Sequence, residues 1–191
     1  MNGVSATRRM AGLGLALAFL SAAAGFGIAN AQSAASERPG SLDAIDFNFV
    51  GQANLGAPFQ VDSGRIAEAR GTSPAIRSYA NLMVSSHIPV ADALNAILRR
   101  KNITPANTLL RGAYDAMLFT LEADHGGAFD RNYVNGQVEY QKGNAALFQQ
   151  EIQNGDDPDL RQFARETLPK IEDHLQRALK LAAAAGAGGT D

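Results

Sequence analysis

Four polar side chains fall on helical stripes whose other members read as core: Gln60, His87, Tyr140 and His174. A neutral polar group taken from water without a partner costs about 1–3 kcal/mol, so each of the four must be satisfied or put to use. Imidazole nitrogen is a metal donor, which makes His87 and His174 the candidate ligands for a divalent or cuprous metal ion. Met83, one helical turn before His87, would add a soft thioether for cuprous copper, while a methionine on such a stripe serves equally as packing. The competing reading is structural. In it, Gln60 and Tyr140 bridge the two histidines in a closed hydrogen-bonded cluster.

Other chemistries find little support. The chain has no cysteine, which removes thiolate metal sites, iron–sulfur clusters and a cysteine nucleophile. A di-iron carboxylate centre needs two Glu-x-x-His repeats, and only Glu122-Ala-Asp-His125 has that spacing, at a helix end beside Gly126-Gly127. Ser85 and Ser86 precede His87, but neighbouring side chains on a helix splay apart and cannot form a triad. A net charge of -2, with no long basic run, argues against nucleic acid as a partner. Arg99-Arg100-Lys101 reads as a helix end, where cations favour the dipole.

The elements that would position these residues are helical. Over residues 73–100, Ile76, Ala80, Met83, His87, Val90, Leu94 and Ile97 recur at alternating spacings of four and three, with Ser73 placed to cap. Over 159–181, Leu160, Ala164, Thr167, Ile171, His174 and Ala178 share a face, preceded by the start signal Asp156-Asp157-Pro158. Over 129–151 the stripe reads Phe129, Tyr133, Gly136, Tyr140 and Leu147. Over 42–70 it reads Phe49, Ala53, Gly56, Gln60 and Ala67. A shorter segment, 108–124, crosses between the second and third long helices. The predicted fold is all-α: a four-helix antiparallel bundle of the ferritin-like kind with a short crossover helix. Pro58, Pro89 and Pro169 lie inside these helices, where each frees a carbonyl four residues back. They either open a polar pocket at mid-bundle or merely curve the helices around the core.

The order Phe49-Val50, Gly64-Arg65-Ile66-Ala67, SPAIRSYANLMVSSH ending at His87, AFDRNYV (128–134) and LPKIEDHL (168–175) resembles the exported bacterial family called domain of unknown function 4142. The resemblance spans nearly the whole chain after its N-terminal segment. It implies a ferritin-like bundle, and its members are often labelled outer-membrane proteins. It also implies a mononuclear His/Glu site, with a Glu near Gln60, an Asp-His pair at Ser86-His87, a His at Tyr140 and a His at His174. This chain keeps two of those four.

The N-terminus carries Arg8-Arg9, an uncharged small and apolar run over 10–28, and Ala29-Asn30-Ala31 before Gln32. Positive flank, apolar run and small-x-small site make residues 1–31 a secretory signal peptide. Residues 32–40 then read as a linker, 41–181 as the bundle, and 182–191 as a flexible tail. The expected product is a periplasmic or secreted protein without a transmembrane segment in its mature chain, and not an enzyme. Its leading role is an envelope or stress-related interaction with a protein or cell-envelope partner. The alternative is a small-ligand or metal-binding protein using His87 and His174.

Overall fold

The structure, a computed structural model, describes residues 42–105 and 111–187. The segments read as signal peptide and linker lie outside the described residues. The described residues form five helices in order: α1 (Ala44–Arg70), α2 (Pro74–Lys101), α3 (Arg111–Ala123), α4 (Gly126–Asn154) and α5 (Pro158–Ala187). Among the described residues no strand occurs, and no helix is long and apolar enough to cross a membrane.

Local chemistry fixes where the helices start and stop. Asp43 caps α1 by accepting the Asp46 N–H at 2.6 Å, and Ser73 caps α2 by accepting the Ile76 N–H at 3.2 Å. Asn102, in the left-handed region at φ 55°, ends α2 directly after Arg99, Arg100 and Lys101. Asp157 Oδ1 accepts the N–H groups of Asp159 (2.9 Å) and Leu160 (3.1 Å), which starts α5. Gly126-Gly127, expected to terminate the crossover, instead form the first turn of α4, with Gly126 at φ 58° and only Asp124 and His125 between the helices. At the other end, α5 runs on to Ala187, so six residues of the segment read as a tail are helical. Alanine has the highest helix propensity, and a run of it extends a helix already nucleated by packing.

Residue pairs set the packing. Phe49 meets Phe148 and Phe59 meets Tyr140, so α1 and α4 run antiparallel. His87 faces His174 and Lys101 reaches Asp157, so α2 and α5 do likewise. The four long helices thus form a ring α1–α2–α5–α4 in which neighbours are antiparallel, with α3 laid mainly over α1. Their buried faces build two apolar clusters. One centres on Phe49, Phe148 and Phe163, the other on Tyr79, Met83, Phe129 and Tyr133. The three internal prolines are all exposed, on the side of each helix where a freed carbonyl can be met by water.

α1 and α2 approach closely at Gly64, where a Cβ would lie 2.8 Å from Val84 Cγ2 and 3.0 Å from the Ala80 carbonyl oxygen. Gly64→Ala should therefore push the helices apart and cost about 1–2 kcal/mol, read as a lower melting temperature. An unchanged melt would mean that the helix pair yields freely.

Candidate binding site in the polar core

Between the two apolar clusters the helices place a belt of polar side chains. Gln60 on α1, His87 on α2, Gln141 on α4 and His174 on α5 are all buried. His87 and His174 come together with ring centres 5.4 Å apart and planes tilted by 41°. Antiparallel packing puts Gln60 at the same level, because Gly64 lies opposite Ala80 and Val84 while Ala57 shares a cavity with His87 and Ala91. Gln141 donates from Nε2 to the Met83 sulfur at 3.4 Å. Tyr79 adds a layer, donating toward the His174 carbonyl (3.3 Å) and Gln137 Oε1 (3.4 Å).

The Ser86 hydroxyl settles the protonation of His174. Ser86 Oγ has a single hydrogen, given to the Leu82 carbonyl at 2.6 Å, and its contact with His174 Nε2 at 3.2 Å must then be one in which Nε2–H donates. The His174 lone pair consequently resides on Nδ1, which is buried and has no partner. His87 Nε2 and both amide atoms of Gln60 are likewise buried and unpartnered. Burial holds His87 down at about 3, with the neighbouring His174 charge adding to the effect, and burial holds His174 at about 4 against the pull of Asp173. Both rings are neutral at physiological pH. The Ser86–His174 pair is also oriented against nucleophilic catalysis, since the imidazole donates to the hydroxyl and cannot take its proton.

Tyr140 stands apart from this pair. It is half-buried, its ring lies 5.5 Å from Phe59 and 6.2 Å from Tyr114, and its hydroxyl abuts Gly56 on α1. Rather than bridging the histidines, it lines the far wall of a cavity of about 20 Å³ beside His87, which has room for one water molecule. The residue turned to the bundle axis is its neighbour, Gln141. The Glu122-x-x-His125 spacing points both side chains outward, and the Glu122 carbonyl accepts from Arg70.

A second polar cluster closes the end of the bundle where α1 begins. Asp46 and Glu151 are buried against each other beside Gly155, and Asp46 Oδ2 accepts the Asp157 N–H at 3.0 Å. Asp157 in turn binds Lys101 Nζ at 2.8 Å, which ties in α2. Burial, followed by the Asp46 charge, pushes Glu151 up to about 8, and burial raises Asp46 as well. Two buried carboxyl groups in contact satisfy each other only by sharing a proton.

Among the described residues no group of three or more His, Cys, Asp or Glu side chains is placed to hold a metal ion. The His87–His174 pair thus stands without a carboxylate. A divalent ion there would leave its charge uncompensated in a low-dielectric core, whereas a soft ion of low charge suits two imidazoles and a thioether.

Comparisons with known proteins bear on the fold. A family model described as a domain of unknown function (DUF4142) matches residues 30–181. The comparison with curated proteins gives no match. Among solved structures, a DUF305 fragment from Deinococcus radiodurans is similar with a TM-score of 0.65 and 14% sequence identity, over 76% of this chain and 98% of that one. A likeness at that identity speaks for the helical fold alone.

Proposed function

We propose that this chain, which belongs to the DUF4142 family, is an exported, ferritin-like helical-bundle protein that binds rather than catalyses, with His87 and His174 as its binding centre. The occupant this centre suits is a soft metal ion of low charge, cuprous copper being the natural example. One observation carries the reading: two neutral, buried imidazoles face each other across α2 and α5 with a free nitrogen on each. Ring centres 5.4 Å apart are close enough for one ion, with metal–nitrogen bonds of about 2.0 Å, to reach both imidazoles. Met83, fully buried one turn before His87, adds a thioether on the same helical stripe, its sulfur here accepting from Gln141 Nε2.

The test is elemental analysis of protein purified without a histidine tag after expression with copper. The expected result is stoichiometric copper that disappears in the His87→Ala/His174→Ala double variant. Metal-free protein whose melting temperature ignores added cuprous or silver ion would refute the reading.

Phe119, 73% exposed on α3, and Phe47, 53% exposed on α1, favour a second role in which the outer helix surface meets a protein or the cell envelope. Export itself rests on the Arg8-Arg9 flank, the apolar run and the Ala29-Asn30-Ala31 site. Mass spectrometry of the periplasmic or secreted product should find a chain starting at Gln32. An intact Met1 would contradict it.

A further inference from the structure

α3 lies outside the ring of long helices and has two faces. Toward the bundle, Tyr114 stacks on Phe59 of α1, Met117 approaches Gly136 of α4, and Leu121 is buried. On the opposite face Gly112, Asp115, Ala116, Phe119 and Ala123 recur at helical spacings, and every one is exposed. Phe119 is the most exposed large apolar side chain among the described residues.

This outer face is complementary to itself. Gly112, Asp115, Ala116 and Phe119, spaced i, i+3, i+4 and i+7, are the corners of a hole of the kind that receives a knob from a facing helix. Two corners are Gly and Ala, and a Cβ at Gly112 would meet nothing within 4 Å, so the hole is open. When a second α3 lies antiparallel against the first, the two-fold axis relating them sets Phe119 of each copy over this hole in the other. The charges agree with that register. Arg111 and Glu122 lie along one edge of the face, and the same axis brings Arg111 of each copy beside Glu122 of the other. For α3 alone both charges are misplaced, because a cation in the first turn and an anion in the last oppose the helix dipole. An antiparallel partner reverses this: Arg111 then reaches the negative end of the other α3, and Glu122 its positive end. Asp115, on the same edge, is the one charge the pairing leaves unanswered.

We infer that the outer face of α3 docks on a second copy of this chain, the two α3 helices running antiparallel, with Phe119 seated over Gly112 and Ala116 and with Arg111 paired to Glu122. This gives the Phe119 surface a partner and rests on neither the histidine pair nor export. A 13-residue helix is about 20 Å long and covers well under the roughly 800 Å² per partner of a permanent interface, so the association belongs to the weak, reversible class.

Sedimentation equilibrium of the chain from Gln32 onward, from micromolar to millimolar concentration, tests the inference. The average mass should rise from one copy and stop at two, since a two-fold contact closes on itself. Phe119→Ala should weaken association at least about tenfold with the melting temperature kept, because the side chain is counted twice in the dimer and is exposed in the single copy. Gly112→Leu should weaken it too by filling the hole, while Asp115→Asn should tighten it. Arg111→Glu and Glu122→Arg should each weaken association without lowering the melting temperature, and the two together should restore it. That rescue is specific to the antiparallel register. His87→Ala should change none of this, so failure here and failure of the metal reading are told apart. A chain that stays monomeric throughout overturns the inference, whether Phe119 is then free or covered by residues 32–41 of its own chain. So does a dimer indifferent to Phe119→Ala, or one that the double charge exchange does not restore.

Discussion

The stability of the protein should pass through a maximum near pH 6.5 and fall on both sides, through different residues. On the acid side the controlling groups are His87 and His174, ordinarily at 6.5 and held at about 3 and about 4 in the fold. Between those values the unfolded chain binds protons that the folded chain refuses, so stability is lost as pH falls below 6.5. Glu151 works in the opposite sense. Its ordinary value is 4.5 and its folded value about 8, so the folded state holds a proton that the unfolded state has released, and stability is lost as pH rises through this window. Each such proton changes stability on the order of 1.4 kcal/mol per pH unit. From 4.5 to 6.5 two imidazoles outweigh one carboxyl and stability climbs. Above 6.5 Glu151 still acts, and stability declines. Urea melts at pH 5, 6.5 and 8.5 will show this shape, and Glu151→Gln should flatten the alkaline limb and steepen the acid one, where the carboxyl no longer opposes the imidazoles. An alkaline limb of undiminished slope in that variant would place its origin elsewhere.

Gln60→Leu should stabilise the protein. The Gln60 side chain is wholly buried on α1, and neither its carbonyl oxygen nor its amide nitrogen has a partner. Leucine has a similar volume and no polar atoms, so the replacement relieves two desolvated groups at roughly 1–3 kcal/mol each and lengthens the apolar face. The expected gain is about 2 kcal/mol or more, a sizeable part of a total that for domains of this class is about 5–15 kcal/mol. The same variant should weaken metal retention if the amide serves the histidine centre, the trade-off usual at binding sites built from unsatisfied groups. A loss of stability on Gln60→Leu would show that the amide is satisfied in solution, by water or by its neighbours.

Where apolar residues mark the buried face, the sequence is a sufficient guide. On α2 and α5 the stripes through His87 and His174 are the buried stripes, because Ile76, Met83, Leu94, Leu160 and Ile171 fix the helix phase around each histidine. On α4 the phase is set differently. Asp130, Val134, Gln137, Gln141, Asn144, Phe148 and Glu151 recur at spacings of four and three, but five of the seven are polar. A search for apolar periodicity therefore settles on the Tyr133–Gly136–Tyr140 line, about 100° around the helix, and places Tyr140 where Gln141 belongs. The polar residues on the axis become legible only through partners on other helices: Met83 for Gln141, Tyr79 for Gln137, Asp46 for Glu151. The partner of Ser86 is hidden for a related reason. Its sequence neighbour is His87, yet it bonds to His174, 88 positions away, through the antiparallel pairing of α2 and α5.

The central claim is that His87 and His174 form a neutral, buried pair with a free nitrogen on each ring. Imidazole nitrogen-15 chemical shifts, followed while silver ion is added as a redox-stable stand-in for cuprous copper, test it most directly. Before addition, both rings should remain neutral down to about pH 5, with the His174 proton on Nε2. One equivalent of silver should then shift one nitrogen on each ring together, that of His174 being Nδ1. Imidazoles that protonate near pH 6.5, or nitrogen resonances that ignore the ion, would contradict the account.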